Sequence, residues 1–178
     1  MNENDFFPRL RESIVKDYFS RIRVRRVLKY ALYLFLALLV QNMLFTQLRI
    51  AGVCPMILPA VAVAVGMFEG GTRGAVLSLI LGIFADMAFV ENTILFTVLF
   101  PAISFATGFV STFFINRRFF AFMGAAFFGL LITAFVQMLH IVAIDTFSTV
   151  MFRTVILQTV WSLPFSVLAY LPPARWIE

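Results

Sequence analysis

Apolar residues run along the chain in six blocks, near 28–48, 53–68, 73–90, 93–115, 119–144 and 151–171, separated by short polar punctuation. About 20 apolar residues in a helix cross a hydrocarbon core ~30 Å thick, so each block predicts a transmembrane helix. The second block is short and carries Pro55 and Pro59, which predicts a kinked or tilted helix. Pro101 and Pro164 predict bends in the fourth and sixth. The connections "LRIAG", "EGGTR", "EN" and "NRR" leave no room for a soluble domain. In the second of these connections, Gly70 and Gly71 suit a tight reversal, with Arg73 anchoring the next span.

Ahead of the first block, "RLRESIVKDYFSRIRVRRVLKY" follows a different pattern. Leu10, Ile14, Phe19 and Ile22 recur at roughly helical spacing, and Glu12–Lys16 and Asp17–Arg21 are acid-first pairs four residues apart. Residues 8–28 are therefore expected to form an amphipathic helix on the inner leaflet, its basic face toward anionic headgroups. Arg23, Arg25 and Arg26 belong to that face. Either they anchor the chain to the bilayer or they also meet a cytoplasmic protein. The expected organisation is a basic tail over 1–29, a six-helix membrane domain over 30–172 and a short end over 173–178.

Composition fixes the solvent for these helices. The chain of 178 residues is 62% hydrophobic and 13% charged, with 23 Phe. Soluble domains run nearer about 45–50% apolar and 25% charged, and a fold this small could not hide so much apolar surface from water. An all-α, polytopic membrane protein is expected. The single cysteine, Cys54, excludes an internal disulfide and any cysteine-built metal site. No cleavable signal is predicted, because no short apolar core with a small-residue cleavage site follows the amino terminus.

The net charge of +5 is concentrated next to the first span, where it serves membrane orientation rather than nucleic acid. Six spans put both termini on one side. That side holds twelve of the fourteen basic residues, Arg117 and Arg118 among them, and the other holds only Arg49 and Arg153. Both ends are expected in the cytoplasm.

With this topology, polar side chains inside the spans share a depth. Asp86 lies about 20 Å along its helix from Arg73, in the outer half of the membrane. Gln41, Gln137, His140 and Gln158 fall in the same layer. A charge at a helix centre costs about 2.5–3.5 kcal/mol on insertion scales, so Asp86 is expected to point into the bundle. Its candidate partners are His140, Arg153, Arg49 and the amides of Gln41, Gln137 and Gln158. Gly74, Ser78 and Gly82 repeat small residues every fourth position on the face that Asp86 continues, a surface for close helix packing. The layer is either hydrogen-bonded glue between helices or a small outward-facing cavity or docking surface.

Catalytic patterns are absent from the sequence. One histidine excludes an HExxH zinc site, no GxSxG elbow is present, and "EGGTRG" lacks the phosphate-loop pattern. No enzyme activity, metal or cofactor is expected.

Several stretches resemble the MreD family of bacterial cell-elongation proteins. These are Gln41 in the first span followed by "LRIAGVCP", the glycine-rich turn after the second span, "RGAVLSLILGIFAD" with Gly74, Gly82 and Asp86, and "GFVSTFFINRRFF". Met56 stands where the family often has an aspartate, and "VENTILF" lacks the family's usual glycine. The resemblance implies a non-enzymatic inner-membrane scaffold that binds MreC and works with MreB, the glycosyltransferase RodA and a class B penicillin-binding protein in sidewall peptidoglycan synthesis and rod shape. It also implies a fold similar to the substrate-binding subunits of energy-coupling-factor vitamin transporters, which makes such a subunit the alternative reading.

Overall fold

The computed structural model describes residues 25, 28–45, 47–48, 53–88, 94–113, 119–144 and 149–175. The chain divides into two units, residues 1–35 and 36–178, and the boundary falls within the first helix. Of the first unit, exposed Arg25 and the opening turns of that helix are described. Arg23, Arg26 and most of the expected amphipathic tail lie outside the described residues, as do Arg49, Arg117 and Arg118.

Every regular element described is a helix. They are α1 (Leu28–Phe45), α2 (Leu58–Glu69), α3 (Gly71–Ala88), α4 (Leu95–Phe113), α5 (Phe119–Ile144) and α6 (Thr149–Arg175). α1 ends in a π-helical turn, Gln41–Phe45. Four of these helices, α1, α3, α5 and α6, are long and apolar enough to cross a membrane, so the chain is a helical membrane protein.

The second block departs from its expected bounds. Residues 54–57 have no regular structure and α2 begins only at Leu58. Twelve residues rise about 18 Å, well short of a full hydrocarbon core. Proline explains the late start. Pro55 disfavours helical geometry at the residue before it and has no N–H to donate, while Pro59 fits only the first turn of a helix, where it is found. The apolar helical stretch of α4, Leu95–Ser111, is also shorter than the sequence block that predicted it.

α2 is the centre of the second unit. Eleven of its twelve residues are buried, and it packs against α3, α4, α5 and α6. Its sequence, "LPAVAVAVGMFE", is apolar around the whole circumference and built from small side chains, as a helix surrounded on all sides requires. α3, α4, α5 and α6 each pack on α2 and leave other residues facing outward. On α3, Val76, Ile80, Ile83, Phe84 and Met87 are exposed; on α5, Phe128, Leu131, Ile132, Phe135 and Leu139 are. In a membrane these faces meet lipid at no desolvation cost.

Aromatic contacts fasten the far ends of this arrangement. Tyr170 of α6 packs against Phe68 of α2 and Phe119 and Phe122 of α5, with ring centroids 5.6, 5.3 and 5.1 Å away. Phe45, in the π turn of α1, meets Phe165 of α6 edge-on at 4.8 Å.

Candidate functional site

The short helix at the centre creates a problem at each of its ends, and the intramembrane polar residues answer it. A helix that starts inside an apolar bundle exposes N–H groups with no intrahelical acceptor. Ile57, at the N-cap position of α2, offers no side-chain acceptor. Two other helices supply what is missing. The Gln41 amide oxygen of α1 accepts from the Ile57 N–H at 2.8 Å, and its NH2 group donates to the Pro55 carbonyl at 3.2 Å. The Ser162 hydroxyl of α6 accepts from the Met56 N–H at 2.9 Å and donates to the Gln158 carbonyl at 2.7 Å. Gln41 and Ser162 are both almost fully buried. Gln158 itself stands beside Met56, Pro59, Thr133, Thr159 and Ser162 in a tightly packed seam between α2, α5 and α6.

The other end of α2 turns in a single residue. Gly70 has φ +88° and ψ 168°, a conformation open essentially to glycine alone. Its N–H closes α2 on the Gly66 carbonyl at 3.0 Å, and its carbonyl accepts from the Gly74 N–H at 2.8 Å, opening α3.

α2, α3 and α4 then run at backbone contact. A Cβ on Gly66 would strike the Ser104 carbonyl, and one on Gly74 would sit 2.7 Å from the Gly66 Cα and 2.9 Å from the Ser104 Oγ. A Cβ on Gly108 of α4 would lie 2.6 Å from the Gly71 Cα, and one on Gly82 would lie 2.5 Å from the Phe96 carbonyl oxygen. Gly74, Ser78 and Gly82 are buried in this junction. The Ser78 and Ser104 hydroxyls are enclosed there without a hydrogen-bond partner.

Asp86, one turn beyond Gly82, closes the same helix pair. Its Oδ1 accepts from the Phe96 N–H at 3.1 Å, and its Oδ2 from the Thr97 N–H at 2.7 Å and the Thr97 hydroxyl at 2.6 Å. The carboxylate caps the first turn of α4 from the neighbouring helix, where the N–H groups and the positive end of the helix dipole favour an anion.

The expected partner set of Asp86 is therefore corrected. It bonds to the start of α4, ten residues away in sequence, and not to His140, Arg153 or the amides of Gln41, Gln137 and Gln158. The reason is geometric: α3 packs against α2 and α4, while α5 and α6 pack against each other and α2. The layer resolves into separate places. Gln41 and Gln158 gather at the start of α2, Asp86 serves the α3–α4 pair, and Gln137 and His140 are half-buried on α5. Sequence reasoning missed Ser162 and Thr97, which carry two of these contacts. The signal for Ser162 was indirect: two prolines leave N–H groups at 56 and 57 that require acceptors.

Among the described residues, no three His, Cys, Asp or Glu side chains gather in a way that could hold a metal ion. No family model, characterised protein or solved structure matches the chain.

Proposed function

We propose that the chain is a non-enzymatic scaffold of the MreD type, spanning the bacterial inner membrane six times with both termini in the cytoplasm. In this reading α2 and α4 complete the six spans although each is short, because α2 is enclosed by protein and, in its irregular lead-in, the Pro55 carbonyl and the Met56 and Ile57 N–H groups are satisfied by Gln41 and Ser162. The scaffold binds the single transmembrane helix of an MreC-like partner. Through it, the scaffold holds MreB, RodA and a class B penicillin-binding protein in the machinery of sidewall synthesis.

One observation carries the reading. The residues on which the resemblance rests, Gln41, Gly74, Gly82 and Asp86, are all used to join helices: two cap helix starts on neighbouring elements and two permit backbone contact. Polar residues committed in this way suit a rigid surface for partner helices better than a ligand pocket. The exposed apolar faces of α3 and α5 are the surfaces such helices would use.

Affinity purification of the tagged protein in mild detergent, followed by mass spectrometry, tests this. Co-purification of an MreC-like protein and a penicillin-binding protein is the expected outcome. Recovery of a membrane coupling subunit with paired ATPases would replace the scaffold by a vitamin-transporter subunit.

A further inference from the structure

α6 carries a proline well inside its apolar span. Pro164 lies within the helix and has no N–H, so the Val160 carbonyl, four residues earlier, loses its intrahelical donor. The polar side chains around it on α6 do not replace that donor. Thr159 donates to the Val155 carbonyl at 2.9 Å, Ser162 to the Gln158 carbonyl at 2.7 Å and Ser166 to the Leu163 carbonyl at 2.6 Å. Trp161, next in the chain, has its indole N–H enclosed without an acceptor.

Depth and exposure decide what can serve instead. In the candidate span Met151–Pro173, Val160 stands about 14 Å from one end and 20 Å from the other. Water does not reach a lipid-facing group at that depth, and acyl chains have no donor to give. A helical carbonyl points along the axis at the residue four ahead, so this one opens between Val160 and Pro164. Both are exposed, as are Ile156 and Leu168 beside them, while Thr159, Ser162 and Ser166 are buried on the inner side.

A donor must therefore come from another polypeptide. A second copy of this chain is poorly equipped to supply one. Over residues 76–87 of α3, 98–110 of α4 and 128–139 of α5 every exposed side chain is apolar. Asn42, exposed on α1, already has an interaction of its own. We propose that the outer face of α6 docks a transmembrane helix of a partner protein, whose Ser, Thr, Asn or Gln side chain donates to the Val160 carbonyl. This deepens the scaffold reading and rests on its premise that partner helices bind. α3 and α5 can receive a purely apolar helix; α6 asks for one with a donor at this depth.

The test places a photoreactive benzoylphenylalanine at position 160, or for reference at position 80 of α3 or 135 of α5, in the full chain in native membranes. After illumination, position 160 is expected to join a membrane-spanning segment of another protein with Ser, Thr, Asn or Gln within one turn of the attachment. That segment, made as a labelled peptide, is then titrated by energy transfer against the full chain in phosphatidylcholine vesicles. Pro164→Ala returns an N–H to the Val160 carbonyl and favours the helix, so the protein stays folded. It is expected to weaken peptide binding roughly two- to tenfold, the worth of one net hydrogen bond. Alanine in place of the peptide's donor should do the same, and the two changes together no more than either alone. An adduct at position 160 with lipid only, with a second copy of this chain or with a segment lacking a donor overturns the proposal. So does unchanged affinity in Pro164→Ala, or strict additivity of the two changes. A donor-bearing segment from a protein unlike MreC would remove the scaffold reading and keep this inference. An MreC-like protein joined at position 80 or 135 and not at 160 would do the reverse.

Discussion

Thr97 gives both its backbone N–H and its hydroxyl to one oxygen of Asp86, at 2.7 and 2.6 Å, while the other oxygen takes the Phe96 N–H. A carboxylate on α3 thereby does the work of an N-cap for α4. Removing it by Asp86→Leu leaves three donors without an acceptor at a half-buried helix start, an expected loss of about 2–4 kcal/mol. Asp86→Asn keeps an acceptor but loses the charge and should cost less, and Thr97→Val, which deletes one hydroxyl, about 1 kcal/mol. Thermal unfolding of the purified variants in one detergent checks the order Leu, Asn, Val; equal stability of Asp86→Leu and the parent protein would refute the cap.

Gln41 and Ser162 serve adjacent N–H groups of one segment, so their effects should be coupled. Gln41→Leu strands both the Ile57 N–H and the Pro55 carbonyl and is expected to cost about 2–4 kcal/mol; Ser162→Ala strands the Met56 N–H, for about 1–2 kcal/mol. Once one contact is lost the segment can shift, and the second substitution should cost less, with a coupling of at least about 0.5 kcal/mol. A double-mutant cycle on unfolding midpoints measures this. Strict additivity would mean that the two residues do not hold a common structure.

Two glycines should respond in opposite ways to alanine. Gly70→Ala forces a side chain into a backbone conformation that costs about 1–3 kcal/mol, although the space around it is open. Gly124→Ala lies mid-helix with nothing in its way and should stabilise by up to about 1 kcal/mol through helix propensity. Comparison of their unfolding temperatures decides the point, and a stabilising Gly70→Ala would contradict the turn geometry.

Gly82 and Asp86 act on the same turn of α4. A methyl group on Gly82 would lie 2.5 Å from the Phe96 carbonyl oxygen and 2.8 Å from the Thr97 Cα, so Gly82→Ala must push the two helices apart where the carboxylate binds. Amide hydrogen exchange at Thr97 should accelerate in Gly82→Ala and stay unchanged in Gly124→Ala. Protection at Thr97 equal in all three proteins would show that the helices yield elsewhere.

Much of this architecture was legible in advance, for a reason specific to lipid. With no water to satisfy the backbone, a long apolar block can only be a helix, so hydropathy alone located α1, α3, α5 and α6 to within a few residues. The glycine turn at Gly70 was legible because few other residues fill its role. The bounds of α2 were harder to read, because apolar side chains continue through 53–57 and mark burial equally well whether the backbone is helical or extended. Only the prolines hinted that it was not helical.

What the sequence determined by itself was therefore the medium, the helices and the small-residue face of α3, all set by side-chain solubility and size within a single element. What only the tertiary structure decided was who bonds with whom. Depth along the membrane normal can be counted from a sequence, and it put Asp86, Gln41 and Gln158 in one layer; position around the bundle axis cannot. A hydrogen bond requires both coordinates to agree within about 3 Å. Asp86 met the α4 start, and Gln41 the α2 start, because the packing of α3 on α4, and of α6 and the π turn Gln41–Phe45 at the head of α2, brought unsatisfied N–H groups to them first.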